Sequence, residues 1–350
     1  MKHAVRILAV AAFLGAIAAC SPGYVLRASW EEARILARRK PIARIVADSA
    51  TDPETRRKLV LVQDARIFAR DSLGLAAGDS YTLFSRVRSD TLALVLSAAQ
   101  KDRFQAHTWW FPIVGRVPYK GFFDPDDAER EARRLEGKGF DTYVRPTAAF
   151  STLGWFNDPL LSTLLRYDDV ALGNTVVHEI THNTYFAPGQ VAFNESFASF
   201  VGGRGAIHFF CAREGAAGPL CRKAAAEWDD DLLLGAFLGT VVAELEAVYA
   251  RPISRDDKLR EREVVFARAR ARYAAEVRPR LKAGSFGGFA TQPLNNATLI
   301  ARRIYYDRLE LFDRVYRSRG GDLRRTVADV VAAARAGRDD PYAAVAALAP

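Results

Sequence analysis

Residues 178–182 read H-E-I-T-H and are the residues of this chain best suited to catalysis. They lie in an apolar run that predicts a helix, and residues four apart on a helix share one face, about 6 Å apart. His178 and His182 can therefore direct two imidazoles at one metal ion. Glu179 lies beside them, as the general base does in zinc hydrolases with this motif. The spacing predicts a Zn2+ site with Glu179 as its base.

Glu195 is predicted to be the third metal ligand. A catalytic zinc ion usually takes three protein ligands and keeps one position for water, so two histidines are not sufficient. A second apolar run begins just before Glu195, and its stripe consists of Phe193, Phe197, Phe200 and Val201. Packing by that stripe would turn Glu195 toward the first helix. The adjacent Asn194 could orient one of the ligands.

The pattern of apolar residues and caps predicts an α+β fold over residues 26–350. The front part, 26–148, is mixed: it has helices at 28–39, 42–47, 52–73 and 126–135, and strands within 79–100, 109–117, 119–123 and 141–144. The back part, 149–350, is mostly helical: a strand at 150–156 and a short helix at 160–165 precede helices at 170–185, 194–213, 222–249, 256–277, 294–316 and 322–336. Asp52 with Pro53, and Asp168 or Asp169, are N-cap signals.

The first residues predict export. A short basic region precedes an apolar run at 7–17, which is too short to span a membrane comfortably. The sequence I-A-A-C at 17–20 resembles a bacterial lipobox, where the peptide is cut before a cysteine that then carries a lipid. We therefore predict a lipoprotein signal peptide at 1–19 and lipidation of Cys20. The alternative is an ordinary signal peptide with an incidental cysteine.

Residues 20–25 are predicted to tether the domain to its lipid. Ser21 follows the cysteine, which resembles the sorting pattern of outer-membrane lipoproteins in Gram-negative bacteria. The resemblance implies a protein anchored to the bacterial envelope, at the outer membrane, and facing the periplasm. The membrane is then a partner through the N-terminal lipid alone.

Cys211 and Cys221 are the cysteines that remain if Cys20 is lipidated. They are separated by a loop that contains glycine and proline, and an exported chain meets an oxidising compartment. A disulfide is therefore predicted, with two free thiols or a metal pair as alternatives. His208 alone gives weak support to a metal pair.

The net charge of +9 does not indicate a nucleic-acid partner. The basic residues are spread over many segments and alternate with apolar or acidic residues at helical spacing, as on solvated helix faces. Nucleic-acid binding would need a concentrated basic surface and a recognition motif, and the sequence has neither.

The chain resembles the gluzincin metallopeptidases, which pair H-E-x-x-H with a later N-E-x-x-A/S. Residues 194–198, N-E-S-F-A, are similar to the N-E-G-F-A of aminopeptidase-N-like enzymes, although only twelve residues separate His182 from Glu195. The chain looks more closely like the family of predicted bacterial aminopeptidase lipoproteins. That resemblance covers most of the mature chain and rests on W-F-P-I-V-G at 110–115, V-P-Y-K-G at 117–121, S-T-L-G-W-F at 151–156, L-S-T at 161–163, L-R-Y at 165–167 and P-L-N-N-A at 293–297.

The resemblance implies zinc-assisted hydrolysis of a peptide substrate. Glu179 would take a proton from water and deliver it to the leaving amine. An extra donor should stabilise the oxyanion, and gluzincins often use tyrosine or histidine for this. Tyr305 and Tyr306 are the candidates here, with Tyr185 and Tyr167 as rivals.

Three points of the functional prediction have alternatives. The leading prediction is an aminopeptidase, but an endopeptidase or regulatory protease of the envelope would use the same chemistry, and the sequence offers no evident acidic group for a free amine. A non-catalytic envelope lipoprotein is another alternative, although a structural zinc site normally has four protein ligands. Residues 151–156 could form an edge strand that an extended peptide joins, or a plain core strand.

Overall fold

The structure, a computed structural model, describes residues 34–87, 93–111, 115–147, 159–284, 286, 289 and 291–349. The predicted signal peptide, Cys20 and the tether lie outside the described residues, as does the predicted strand at 150–156. Of the predicted helix at 28–39, the described residues 34–37 are helical.

The described residues form an α+β fold, as the sequence predicts. The strands are β1 (Lys40–Pro41), β2 (Leu83–Ser85), β3 (Ala93–Gln100), β4 (Trp109–Phe111), β5 (Gly115–Val117), β6 (Tyr119–Phe122), β7 (Phe140–Thr147) and β8 (Leu160–Leu161). The helices are α1 (Ile42–Ala47), α2 (Pro53–Asp71), α3 (Pro125–Glu136), α4 (Asp169–Thr184), α5 (Val191–Glu214), α6 (Pro219–Ala250), α7 (Arg255–Arg272), α8 (Asn296–Tyr306), α9 (Leu309–Ser318), α10 (Leu323–Ala336) and α11 (Pro341–Ala346). A π-helical turn (Tyr273–Val277) and a 3-10 turn (Arg278–Arg280) extend α7.

An antiparallel sheet of order β6-β3-β7 separates two different environments. Cross-strand neighbours share a face. On one face Leu96 and Phe122 pack against α3 in a small apolar core. On the other face Tyr119, Ser97 and Tyr143 lie in one row across the strands, and Gly121, Val95 and Arg145 lie in the next. This second, more polar face is the one that α8 packs against.

Helix α8 runs alongside β7, and buried polar contacts fix the two elements at one end. Asp141 of β7 accepts hydrogen bonds from both terminal nitrogens of Arg262, at 2.7 and 3.0 Å, and from the backbone N–H of Asn296 at 3.1 Å. At the other end Arg145 contacts Tyr305. The nine-residue rise from Asn296 to Tyr305 on the helix and the four-residue rise from Asp141 to Arg145 on the strand are both about 13 Å. Both contacts can therefore form at the same time.

The largest apolar core surrounds α4 and α5. It includes Leu59 and Val62 of α2, Val176 of α4, Phe200 of α5 and Phe312 of α9, all with at most 1% of their surface exposed. A second core lies between α6, α7 and α8. Because both sides of α5 are buried, this helix is fixed in position by packing rather than by its own polarity.

The structure corrects two predicted helices. Residues 160–165 do not form a helix: Leu160 and Leu161 form β8, which pairs in parallel with β2, and a 3-10 turn (Leu164–Arg166) follows. The predicted helix at 294–316 is two helices, α8 and α9, because Arg308 adopts a left-handed conformation with φ of 51°.

Helix α6 is long and apolar enough to span a membrane by length and composition. It also packs against α5, α7 and α8, and it carries Asp229, Asp230 and Asp231 in succession. A core helix of a globular domain explains these features without a membrane.

Candidate metal centre

Helix α4 carries H-E-x-x-H, and its beginning is well fixed. The Asp168 side chain accepts hydrogen bonds from the backbone N–H groups of Val170 and Ala171, which satisfies donors that a helix start leaves free. Arg57 of α2 donates to Asp169 at 2.6 Å, and Lys58 donates to the backbone oxygen of Leu165 at 2.7 Å. These contacts set the direction in which α4 enters the core.

Asn194 fixes the turn between α4 and α5. Its side-chain oxygen accepts from the backbone N–H of Ala187, and its side-chain nitrogen donates to the backbone oxygen of the same residue, both at 2.8 Å. Asn194 is buried, so this paired contact replaces hydrogen bonds that water would otherwise make. The observed contact acts on the turn, and the role suggested from the sequence, that Asn194 could orient a metal ligand, stays a prediction.

His178, His182 and Glu195 come together between α4 and α5. The Nε2 atoms of His178 and His182 lie 3.4 and 3.7 Å from one carboxylate oxygen of Glu195. One donor atom from each residue lies within 4.8 Å of the others, so the group could hold a metal ion. The apolar stripe of α5 is buried on the opposite side, which directs Glu195 toward α4.

The ionised carboxylate of Glu195 suits a cation. Burial opposes ionisation of Glu195, but hydrogen bonds and charge from His178 and His182 outweigh it and hold the pKa of Glu195 well below its ordinary value. Burial lowers the pKa of His182, and Glu195 more than compensates, so the net pKa is raised. Two imidazole nitrogens and one carboxylate oxygen are a donor set of catalytic zinc, and the residues present therefore fit Zn2+.

Gly202 allows the two ligand-bearing helices to approach closely. A Cβ atom at this position of α5 would lie 3.1 Å from the Cβ of His178 and closer still to the side-chain oxygen of Asn174. Any other residue would therefore push α5 away from α4. The glycine keeps Glu195 within reach of the histidines.

Tyr305 lies beside the group, on the last turn of α8. Its ring centre is 6.3 Å from that of His178, and its hydroxyl accepts a hydrogen bond from Arg145 at 3.2 Å. Burial, followed by the charge of Glu195, raises the pKa of the Tyr305 phenol. The hydroxyl therefore stays protonated at neutral pH and can act as a donor.

Tyr306 faces away from Tyr305, toward α6 and the second core. Its ring contacts Phe286 at 5.7 Å, and burial followed by the charge of Asp231 raises its pKa. Tyr185 packs on Phe193 at the end of α4. Burial raises the pKa of the Tyr167 phenol, and the charges of Arg145 and Glu179 also act on it, which indicates that Tyr167 lies closer to the centre.

Arg145 and Tyr119 are residues near the centre that the sequence did not single out. Both lie on the polar face of the β6-β3-β7 sheet, and the pKa of Tyr119 is raised by burial and by the charge of Glu195. Tyr119 belongs to the V-P-Y-K-G motif at 117–121, but the motif does not indicate its place in the site, since the roles of both residues depend on α8 crossing that sheet face. For Arg145, alternation along β7, which places Tyr143 and Arg145 on one face, is a signal that could have drawn attention to it.

Cys211 and Cys221 form a disulfide between the end of α5 and the beginning of α6. The bond fixes the sharp reversal of the chain there. It lies at the opposite end of α5 from Glu195.

The fold and the site define an α+β protein with a candidate metal centre between two adjacent helices. A family model described as "Aminopep: Putative aminopeptidase" matches residues 23–341, so the chain belongs to this family. Membership indicates a peptidase that acts on peptide substrates. Searches of the curated proteins and of the solved structures each found no match.

Proposed function

We propose that this protein is a zinc-dependent peptidase of the gluzincin type, most simply an aminopeptidase. The observation that carries the proposal is the convergence of His178, His182 and Glu195 around one point, with Glu179 on the same helix as the histidines. Family membership supports the peptidase part of the proposal. The composition of the ligand group supports zinc.

In this proposal the side chains move protons around a peptide carbonyl. Zinc, when bound, supplies Lewis-acid polarisation of the carbonyl and acidification of water. Glu179 accepts the proton of the attacking water and passes it to the leaving amine. Tyr305 donates a hydrogen bond to the oxyanion that develops on the carbonyl oxygen. The buried surroundings strengthen both interactions by excluding bulk water.

Metal analysis with a peptidase assay tests this proposal on wild type, Glu179→Gln and the control Glu246→Gln. Glu246 is an exposed residue on α6, so Glu246→Gln removes the same negative charge as Glu179→Gln without changing the site. We expect one zinc per chain in all three proteins. Activity should fall about 10²- to 10⁴-fold in Glu179→Gln alone, because a general base is lost. Equal activity in the two variants, or no zinc in the wild type, contradicts the proposal.

The aminopeptidase part is tested separately. An aminopeptidase should cleave a peptide with a free amine and leave its N-acetylated form intact. Cleavage of both forms at comparable rates would establish the endopeptidase alternative. Zinc binding without cleavage of either would favour the non-catalytic envelope lipoprotein.

We further propose that the protein is held at the outer membrane through a lipid on Cys20 and faces the periplasm. The lipobox-like sequence at 17–20 supports this, and the Cys211–Cys221 disulfide is typical of an oxidising compartment. Mass spectrometry of the N-terminal peptide after expression in a Gram-negative host tests it. A Cys20→Ser variant should lose the lipid mass and leave the membrane fraction, and an unmodified wild-type Cys20 would contradict the proposal.

A further inference from the structure

Arg145 is a cation at the candidate metal centre without an anionic partner. Within the part of the chain that the structure describes, no carboxylate lies within 4.0 Å of its guanidinium, and Tyr305 is its one hydrogen-bond partner. Its Nε atom is buried without any partner. Most of the other arginines described in the core, such as Arg262 with Asp141, have a paired carboxylate.

An arrangement of this kind is costly unless a ligand completes it. An unpaired charge that is fully buried costs several kcal/mol, and Arg145, which is partly buried, bears part of that cost. Burial would lower the pKa of Arg145, but Tyr305 and Glu195 hold it above the ordinary value, so the group stays charged. The planar guanidinium has donors arranged to fit a carboxylate.

The cross-strand row that contains Arg145 has an unfilled position two strands away. Gly121 lies in this row with Val95 between it and Arg145, and a Cβ atom there would meet nothing within 4 Å among the described residues. Tyr119, two residues earlier on the same face, adds a phenol next to that space. Arg145, Tyr119 and the unfilled position at Gly121 therefore share one face of the sheet, near the metal ligands.

We propose that Arg145 binds the C-terminal carboxylate of a short peptide substrate. The inference rests on the proposed peptidase function and names the substrate class of that site. The proposed substrates are peptides of a few residues with a free C-terminal carboxylate. Bonds in the interior of long chains would not be cleaved efficiently.

The distances set an upper limit on the length of peptide between Arg145 and the metal ligands. The guanidinium carbon of Arg145 lies 5.7 Å from the ring centre of Tyr305, which lies 6.3 Å from that of His178. An extended peptide spans about 3.5 Å per residue, so about three residues cover this path. The carboxylate bound at Arg145 therefore belongs to a residue within about three positions of the cleaved bond.

Paired substrates test the inference: Ala-Ala-Phe as the free acid and as the C-terminal amide. For the wild type we expect kcat/KM to be about 100-fold higher for the acid, because the amide leaves the guanidinium unpaired. Arg145→Met should remove this preference by raising KM for the acid much more than for the amide, and any loss of kcat through Tyr305 should be common to both substrates. Arg145→Lys should restore part of it, and Arg133→Met, on α3 behind the sheet, should retain all of it.

Other results overturn the inference. Equal wild-type kcat/KM for acid and amide would do so. An equal loss of kcat/KM on both substrates in Arg145→Met, with the preference for the acid retained, would also do so, since it would mean that Arg145 only positions Tyr305.

Binding separates this inference from the peptidase proposal. Calorimetric titration of Glu179→Gln with the same two peptides requires no turnover. Tighter binding of the acid that disappears when Arg145→Met is added supports the carboxylate site even if the wild type cleaves nothing. Equal binding of acid and amide overturns the inference even if the protein is an active zinc peptidase.

Discussion

Tyr305 and Tyr306 are adjacent in sequence and lie in different environments. Successive residues on a helix point about 100° apart, so α8 presents one tyrosine to the metal ligands and the other to α6. The sequence identified both tyrosines as candidates for the oxyanion donor. It could not show which one faces the metal ligands, because that depends on how α8 is rotated against the sheet. The same limit hid Arg145, whose importance comes entirely from a partner 160 residues away.

The two tyrosines give a matched pair of variants. Tyr305→Phe should lower kcat by about 10²- to 10³-fold with little change in KM, because one donor to the oxyanion is lost. Tyr306→Phe should leave kcat close to that of the wild type. Steady-state kinetics on one peptide checks both variants. A larger loss of kcat in Tyr306→Phe than in Tyr305→Phe would show that Tyr305 is not the oxyanion donor.

Asp231 on α6 makes stability depend on pH. Burial, with the charges of Glu227 and Asp230, raises its pKa from 3.8 to about 8. A carboxyl whose pKa is raised on folding favours the folded state at low pH, and this contribution is lost as pH rises from about 4 to about 8. Asp231→Asn removes that loss. As pH rises through this range, the unfolding free energy of the variant minus that of the wild type should increase by up to about 1.4 kcal/mol per pH unit.

Urea unfolding of wild type and Asp231→Asn at pH 5 and pH 8 measures this difference. Asp229→Asn is the control, since Asp229 is half exposed and pairs with Lys282 at the surface. A stability difference that is the same at both pH values would show that Asp231 is ionised throughout.

The helices that position the site were largely predictable because their signals are local. Asp168 caps α4 and Asp52 caps α2, as the sequence indicates, and the predicted bounds differ from the observed ones by a few residues. The helix predicted at 160–165 was wrong because pairing with β2, far away in sequence, outweighed local preference. The break at Arg308 was missed because no glycine or proline marks it.

The close contact of α4 and α5 at Gly202 leads to a prediction about these elements. Gly202→Ala should destabilise the protein by about 1–3 kcal/mol, because the new methyl group overlaps Asn174 and His178. It should also weaken zinc binding by moving Glu195 away from the histidines. Thermal unfolding and competition with a zinc chelator measure the two effects.

Gly239→Ala is the matched control on α6. A Cβ atom at Gly239 meets nothing within 4 Å, so alanine should stabilise this helix by about 0.5–1 kcal/mol and leave zinc binding unchanged. Equal effects of the two alanines would mean that helix propensity, rather than helix contact, decides at Gly202.

At the scale of the whole molecule, the Asp141–Arg262 pair connects the sheet to the helical part. Its side chains are 5% and 8% exposed, and Asn296 at the beginning of α8 shares the carboxylate. Contacts between residues so far apart in the chain leave no local pattern, so the sequence predicts the parts of this fold better than their arrangement.

Arg262→Met should therefore cost about 3–5 kcal/mol in unfolding free energy, because it leaves Asp141 buried and unpaired. The double variant Asp141→Asn with Arg262→Met should recover part of this loss. Denaturant unfolding of both measures the difference, and equal losses in the two would show that packing rather than charge dominates there.

The short turn that Asn194 fixes has a consequence for the order of folding. Twelve residues separate His182 from Glu195, so all three candidate ligands belong to one helical hairpin. Closing so short a loop costs little chain entropy, and contacts close in sequence form early. The ligand group should therefore assemble before α8 packs against the sheet. The chain should then acquire its affinity for metal earlier in folding than the contacts to substrate that α8 and the sheet provide.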